Sequence, residues 1–148
     1  MAGLLCEVYE PYLDRFAPTA LRENATTIAA AWQRWLVAEV DGSIVGCVRH
    51  EPEGDDHTFC FLAVSPSFRR QGVGSLLVEE VVAEARRNGA EQILIALRLS
   101  LTENISFFGK RGFSYREPFG TGRHGLFVRG MESGNERRGG AGLPARAR

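Results

Sequence analysis

The feature that most constrains this chain is the run Leu62-Ala-Val-Ser-Pro-Ser-Phe-Arg-Arg-Gln-Gly-Val-Gly74. An apolar strand stops at Pro66, a short basic loop holds two glycines, and an amphipathic helix begins at once. The first backbone N–H groups of a helix lack intrahelical partners, and the macrodipole adds partial positive charge there. Gly72 and Gly74 let an anionic group approach the backbone without meeting a Cβ, and Arg69 and Arg70 add charge at the rim. Together these point to a pyrophosphate cradle. The competing explanation is a plain strand–turn–helix connection with incidental arginines. No Gly-Lys-Ser/Thr follows, and the three-glycine dinucleotide fingerprint is missing, so two common phosphate-binding loops are excluded.

Around this segment the elements alternate. Leu4 to Phe16 has helical apolar spacing interrupted at Pro11, and Thr19 to Trp35 predicts a second helix with Leu21, Ala25, Ile28, Ala29 and Trp32 on one side. Trp35–Val40 and Ile44–Arg49 read as strands joined by a tight Asp41-Gly42 turn, and the polar stretch Glu51 to Asp56 reads as a loop. Thr58–Val64 is a strand too apolar for a solvated edge. Gly74 to Asn88 is the clearest helix, with Leu77, Val78, Val81, Val82 and Ala85 as its stripe and Gly89 as its stop. Then come a strand at Ile93–Leu97, a short helix Glu103–Arg111 capped by Thr102, and closing strands at Phe113–Phe119 and Leu126–Met131. The order predicts a mixed α/β sheet.

Composition narrows the function classes. With 148 residues, 44% of them hydrophobic, the chain can bury one domain's core. Eighteen basic residues balance eighteen acidic ones, which argues against a general nucleic-acid or membrane-surface binder. Residues 1–132 form the expected domain. Residues 133–148, with four Arg against the single acid Glu136, read as a disordered basic tail. Cys6, Cys47 and Cys60 share no metal-type spacing, so no metal is expected, and their odd number suits a reduced, cytoplasmic protein.

Arg69-x-x-Gly72-x-Gly74 after a strand ending Leu-Ala-Val resembles the acetyl-CoA signature of the GCN5-related N-acetyltransferase (GNAT) family. Downstream, Asn104-Ile-Ser-Phe-Phe108-Gly-Lys-Arg-Gly-Phe113 resembles that family's later helix. The resemblance runs from about Trp35 to Glu132. It implies a mostly antiparallel sheet with helices on both faces and a splayed central strand pair. Acetyl-CoA would be the acyl donor, with Leu62, Ala63 and Val64 offering backbone groups to the pantetheine arm. The N–H groups of Arg69, Arg70, Gln71, Gly72, Val73, Gly74 and Ser75 would hold the pyrophosphate. Asn104 would lie near the pantetheine or help cap its helix, and Phe108 would sit beside the donor. The implied reaction is direct transfer of acetyl to a primary amine of a small molecule or peptide, with no nucleic-acid or membrane partner.

Three departures from the family pattern bear on that expectation. Many members carry a Tyr that protonates the leaving sulfur where this chain has Phe108, and Tyr115, the nearest Tyr, is expected to pack a strand. No carboxylate replaces Thr58, Phe59, Cys60 or Phe61 on the central strand, leaving His57, Glu51 and Glu53 as weak candidates for the base. His124, in a glycine-rich turn, lies where the family's closing hairpin nears the acceptor, although a solvated turn is its more ordinary explanation. Lastly, no strand precedes Leu4, so the family's opening edge strand is expected to be missing, which would favour a homodimer through the bared edge. A catalytically weak acetyl-CoA-binding module is the alternative to an active enzyme. Tyr9, Tyr12, Phe16, Trp32 and Trp35 are candidates for an acceptor wall, with core packing as their ordinary role.

Overall fold

A computed structural model of the protein describes residues 1–131 and the pair Arg146–Ala147. The Asp41-Gly42 turn organises the first strands. Both residues have positive φ (49° and 79°), as a two-residue hairpin turn requires. It joins β1 (Trp35–Val40) to β2 (Ser43–Glu53) in antiparallel register, Trp35 opposite Arg49, with a bulge between Ala38 and Glu39. β2 runs on to Glu53, and β3 (Asp56–Val64) follows after Gly54, whose φ is 61°. Glu51 and Glu53 therefore lie in a strand and not in the expected loop. Their polar composition marks an exposed strand end, not an absence of pairing.

The described residues form two compact units. The first comprises Met1–His50, Phe61–Val81 and the strand β7 (Arg146–Ala147). Its strand order is β3-β2-β1-β7. α1 (Ala2–Tyr9) places Leu4, Leu5 and Val8 against Ala20, Ile28, Trp35, Cys47 and Ala63, and ends as Pro11 forces a 3-10 turn over Glu10–Tyr12. The expected second helix is broken. Thr19–Arg22 is a 3-10 turn, α2 covers only Ala25–Ala30, and Trp32–Arg34 is another 3-10 turn. Asn24 is the cause. Its side chain accepts from the N–H groups of Thr26 and Thr27, while Thr27 Oγ1 accepts from the Asn24 N–H, so a capping box starts a new helix there. The expected stripe is lost with it, since Ala25, Ala29 and Trp32 are exposed and Ile28 alone of the five is fully buried.

No strand precedes Trp35 among residues 1–34, as the sequence suggests. The outer edge of β1 instead takes β7, with Ala38 opposite Ala147 and Glu39 opposite Arg146. Two residues of the segment expected to be disordered thus lie in a sheet. The remainder of that segment, and the expected domain boundary at 132, fall outside the described residues.

The second unit comprises Glu51–Cys60 and residues 82–131 among those described, with strand order β5-β6-β4-β3. β4 (Gln92–Arg98) pairs along its whole length with β6 (His124–Gly130), and β5 (Ser114–Phe119) is a solvent-facing edge strand. α4 (Thr102–Gly109) buries Phe108, which meets Phe59 and Phe113 edge-on at centroid distances of 5.8 and 5.7 Å.

One glycine sets how closely α3 (Val73–Arg87) approaches the sheet. A Cβ on Gly46 of β2 would stand 2.9 Å from Val73 Cγ1, 3.0 Å from Leu77 Cδ1 and 3.3 Å from the Ala63 carbonyl oxygen. Val73 and Leu77 are both buried and cannot swing aside freely. Gly46→Ala is expected to destabilise the protein by about 1–3 kcal/mol through overpacking, measured by urea unfolding. An unchanged midpoint would show that α3 has slack at this contact.

Candidate active site

Strand β3 pairs in parallel with β4 over three residues, from Asp56 opposite Gln92 to Thr58 opposite Leu94, and then continues six residues further to Val64. Three residues past the last paired residue the backbone is distorted. Phe61 has φ 55°, in the left-handed region that a bulky side chain rarely occupies and that costs roughly 1–2 kcal/mol. Its ring stacks on Trp35, with centroids 6.3 Å apart and planes inclined by 22°. The next residue is held too, since the Tyr9 hydroxyl donates to the Leu62 carbonyl at 2.8 Å.

Beyond Phe61 the strand alternates normally. The Ser65 N–H donates to the Val45 carbonyl at 2.8 Å, so Ser65 and Ala63 direct their backbone groups toward β2, and Leu62 and Val64 direct theirs to the opposite edge. On that edge the Leu62 carbonyl accepts from Tyr9, and the Val64 carbonyl accepts a 3.4 Å bond from Arg69 Nε. Of the three residues expected to serve the pantetheine arm, Leu62 and Val64 are therefore the two that face outward. Ala63 is occupied by the ladder.

The loop that follows is shaped by two left-handed residues, Arg70 at φ 60° and Gly72 at φ 82°. Glycine adopts this conformation without strain, but nothing in the residue type signals it at Arg70. Gln71 Nε2 ties the loop to the Ser67 carbonyl at 3.2 Å. The first helical bond of α3 runs from the Leu76 N–H to the Gly72 carbonyl at 3.0 Å, so the N–H groups of Val73, Gly74 and Ser75 all precede the helical ladder. Arg69 and Arg70 are exposed beside this helix end. The exposed guanidinium groups and the helix dipole together make this end of α3 positively charged.

The other candidates lie in the second unit. Asn104 is exposed at the third position of α4. The residue preceding that helix is Leu101, which has no side-chain cap bond, so neither Asn104 nor the expected Thr102 caps it. Thr102 is its first helical residue. Phe108 is only 4% exposed, its ring packed edge-on in an aromatic cluster with Phe59, Phe107 and Phe113. His57 is completely buried in the stretch of β3 that is paired with β4, opposite Ile93, and has no open face toward an acceptor amine. Glu51 is half-buried, its carbonyl accepting from Thr58 Oγ1 at 3.4 Å, and Glu53 is exposed at the end of β2. Tyr115 packs on Phe127 and covers Gly125, in the strand-packing role expected of it.

Among the cysteines, burial pushes the Cys47 thiol up to about 12, which keeps it protonated and inert, while Cys60 is half-exposed just before the distorted Phe61. Among the described residues no group of three or more His, Cys, Asp or Glu is placed to hold a metal, and no helix is long and apolar enough to cross a membrane.

Comparison with known proteins gives the family. The model of the acetyltransferase (GNAT) family matches residues 4–113. An IAA acetyltransferase of Azospirillum brasilense is 30% identical over 120 residues, covering 78% of each protein. An amino-acid acetyltransferase of Shewanella oneidensis is 32% identical over 95 residues, which make up 63% of this chain but 20% of that protein. In structure, the PaiA N-acetyltransferase of Thermoplasma acidophilum in complex with coenzyme A superposes with a TM-score of 0.72 at 12% identity, covering 88% of this chain and 90% of that one. The N-acetylglutamate synthase of Neisseria gonorrhoeae gives 0.70 at 19% identity, covering 87% of this chain and 32% of its own. The chain belongs to the GNAT family and is an acetyl-CoA-dependent acetyltransferase. The mostly antiparallel α/β sheet and the resemblance carried by the two sequence motifs agree with that membership.

The last candidate is a histidine at the start of the closing strand. His124 opens β6 directly opposite Arg98 of β4. Partial burial, and secondarily the Arg98 charge, lower its pKa below the ordinary 6.5, so the imidazole is neutral at physiological pH. Both causes disfavour the protonated form, so any stability linked to this group is held at neutral pH and lost as pH falls through its folded pKa. An NMR titration of the ring protons should show His124 titrating below 6.5 in the wild type, and nearer 6.5 in Arg98→Gln. An identical titration in the two proteins would remove the guanidinium as a cause.

Proposed function

We propose that this protein transfers acetyl from acetyl-CoA to a primary amine of a small molecule or peptide by direct attack of the amine on the thioester. The observation that carries this is the continuous path from the outward edge of β3 at Leu62 and Val64, through Arg70 and Gly72, to the N–H groups of Val73, Gly74 and Ser75. A pantetheine amide can add to the strand edge as a further strand would. The pyrophosphate then meets the helix end, with Arg69, Arg70 and the backbone of Gln71 at its rim. Acetyl-CoA supplies the activated acyl group. The protein holds it in line with the amine and polarises the thioester carbonyl with a strand N–H.

The amine must lose a proton before it attacks. His124, Glu51 and Glu53 are the candidates that retain some exposure, directly or through water. The buried Phe108 offers no proton to the departing thiolate, so that group leaves unassisted or takes its proton from another donor. The same residue favours the second reading, an acetyl-CoA-binding module with weak catalysis. Asn104, exposed on α4, is the candidate for a polar contact to the pantetheine. The names of the relatives support a nitrogen acceptor on a small molecule, amino acids among them.

Two substitutions at one position test the cradle. Aspartate and asparagine both tolerate a left-handed backbone, so Gly72→Asn keeps the loop shape while Gly72→Asp adds a charge. Calorimetry should show Gly72→Asp binding CoA about tenfold more weakly than Gly72→Asn, a difference of roughly 1.4 kcal/mol. Equal affinities would discard the pyrophosphate assignment. Release of free thiol from acetyl-CoA, followed across a panel of primary amines, separates the two functions. Tight binding with no turnover on any amine favours the inactive module.

A further inference from the structure

Tyr9 closes α1, far in sequence from β3, yet its hydroxyl donates to the Leu62 carbonyl at 2.8 Å. The contact falls one residue past Phe61. Among the described residues, Phe61 is the only non-glycine with positive φ inside a strand. A left-handed aromatic residue relaxes by rotating the peptide planes beside it, and here the neighbouring elements prevent that. Trp35 stacks on the ring, Tyr9 fixes the carbonyl of the following residue, and the Ser65 N–H is bonded to Val45 three residues further on. All of these groups belong to the same compact unit.

The Tyr9 bond has an electrostatic effect as well. Leu62 directs both its carbonyl and its N–H to the outward edge of β3. A thioester oxygen gaining negative charge at that edge needs a donor, and an uncompensated carbonyl dipole beside it would oppose the charge. The hydroxyl engages that carbonyl and leaves the N–H as the group the edge presents.

We propose that Tyr9 is a positioning residue for acetyl transfer, its hydroxyl holding the distorted segment Phe61–Ser65 so that the Leu62 N–H faces the thioester. This rests on the donor lying along the β3 edge. The role is distinct from proton donation to the leaving thiolate, because the O–H is already committed to a backbone carbonyl.

Tyr9→Phe keeps the ring in the core and deletes only the hydrogen bond. In the free protein, hydrogen exchange at residues 62–65 should quicken about tenfold, the scale of one lost hydrogen bond, while the β5–β6 hairpin is unaffected. With an acceptor taken from the amine panel, kcat should fall about tenfold, and KM for acetyl-CoA should stay within about threefold because the Gly72–Ser75 cradle is untouched. Phe61→Gly adopts positive φ without strain, so adding Tyr9→Phe to that background should lower kcat by clearly less than tenfold. This second comparison is decisive if the single variant unfolds. Unchanged kcat, or a change confined to KM, overturns the positioning role. If the wild type does not bind acetyl-CoA in calorimetry, the donor site itself falls and the catalytic role with it, whatever the exchange rates show.

Discussion

Every backbone group on a buried strand needs a partner, and β3 meets that requirement in two different ways along its length. Up to Thr58 it is zipped to β4 in the ordinary parallel manner. After Phe61 its outward carbonyls are satisfied by side chains, Tyr9 on Leu62 and Arg69 on Val64. The proposed donor site depends on this change of partner. A strand paired to its end would have no edge to offer, and one whose carbonyls were left bare in a buried setting would lose roughly 1–3 kcal/mol for each orphaned group. Side-chain bonds can be made on one side of the strand without closing it, whereas a neighbouring strand cannot.

The helix that follows depends on the same region. α3 begins where the loop ends, and its first turn sits against Gly46 through Val73 and Leu77. A close helix–sheet contact fixes the direction in which the N–H groups of its first turn point, so a residue with no side chain on β2 bears on the proposed anion cradle through Val73, the first residue of α3. This links core packing to binding without any direct contact with a ligand.

Much of this was legible in the sequence. The hairpin at Asp41-Gly42 and helix α3 follow from turn chemistry and clean periodicity, and the strand–loop–helix that carries the site has glycine punctuation at the right place. Short-range competition hid other parts. Asn24 with Thr27 makes a capping box without the usual acidic partner, so a helix expected to run from Thr19 to Trp35 is cut in three. Glu51-Pro-Glu53 looks like a loop by composition and is a strand end. The features most important to the site left the faintest trace. No residue type marks Phe61 or Arg70 as left-handed, and the bond from Tyr9 to Leu62 joins segments with no local relation. Gly46, lying inside a strand pattern, was the one available hint of a close backbone approach.

Arg70 places two demands on a single residue. Its backbone sits at φ 60°, a conformation that glycine or asparagine would adopt with less strain, while its side chain contributes positive charge at the rim of the helix end. Shape and charge thus compete for one codon. Because the bend is already built into the chain, an anion held at the proposed cradle would have little loop disorder to remove, and its affinity would draw on geometry set during folding. Family members that solve the same conflict in favour of a glycine would retain the curve and surrender the charge, so curvature and cationic character of this loop can vary independently among relatives.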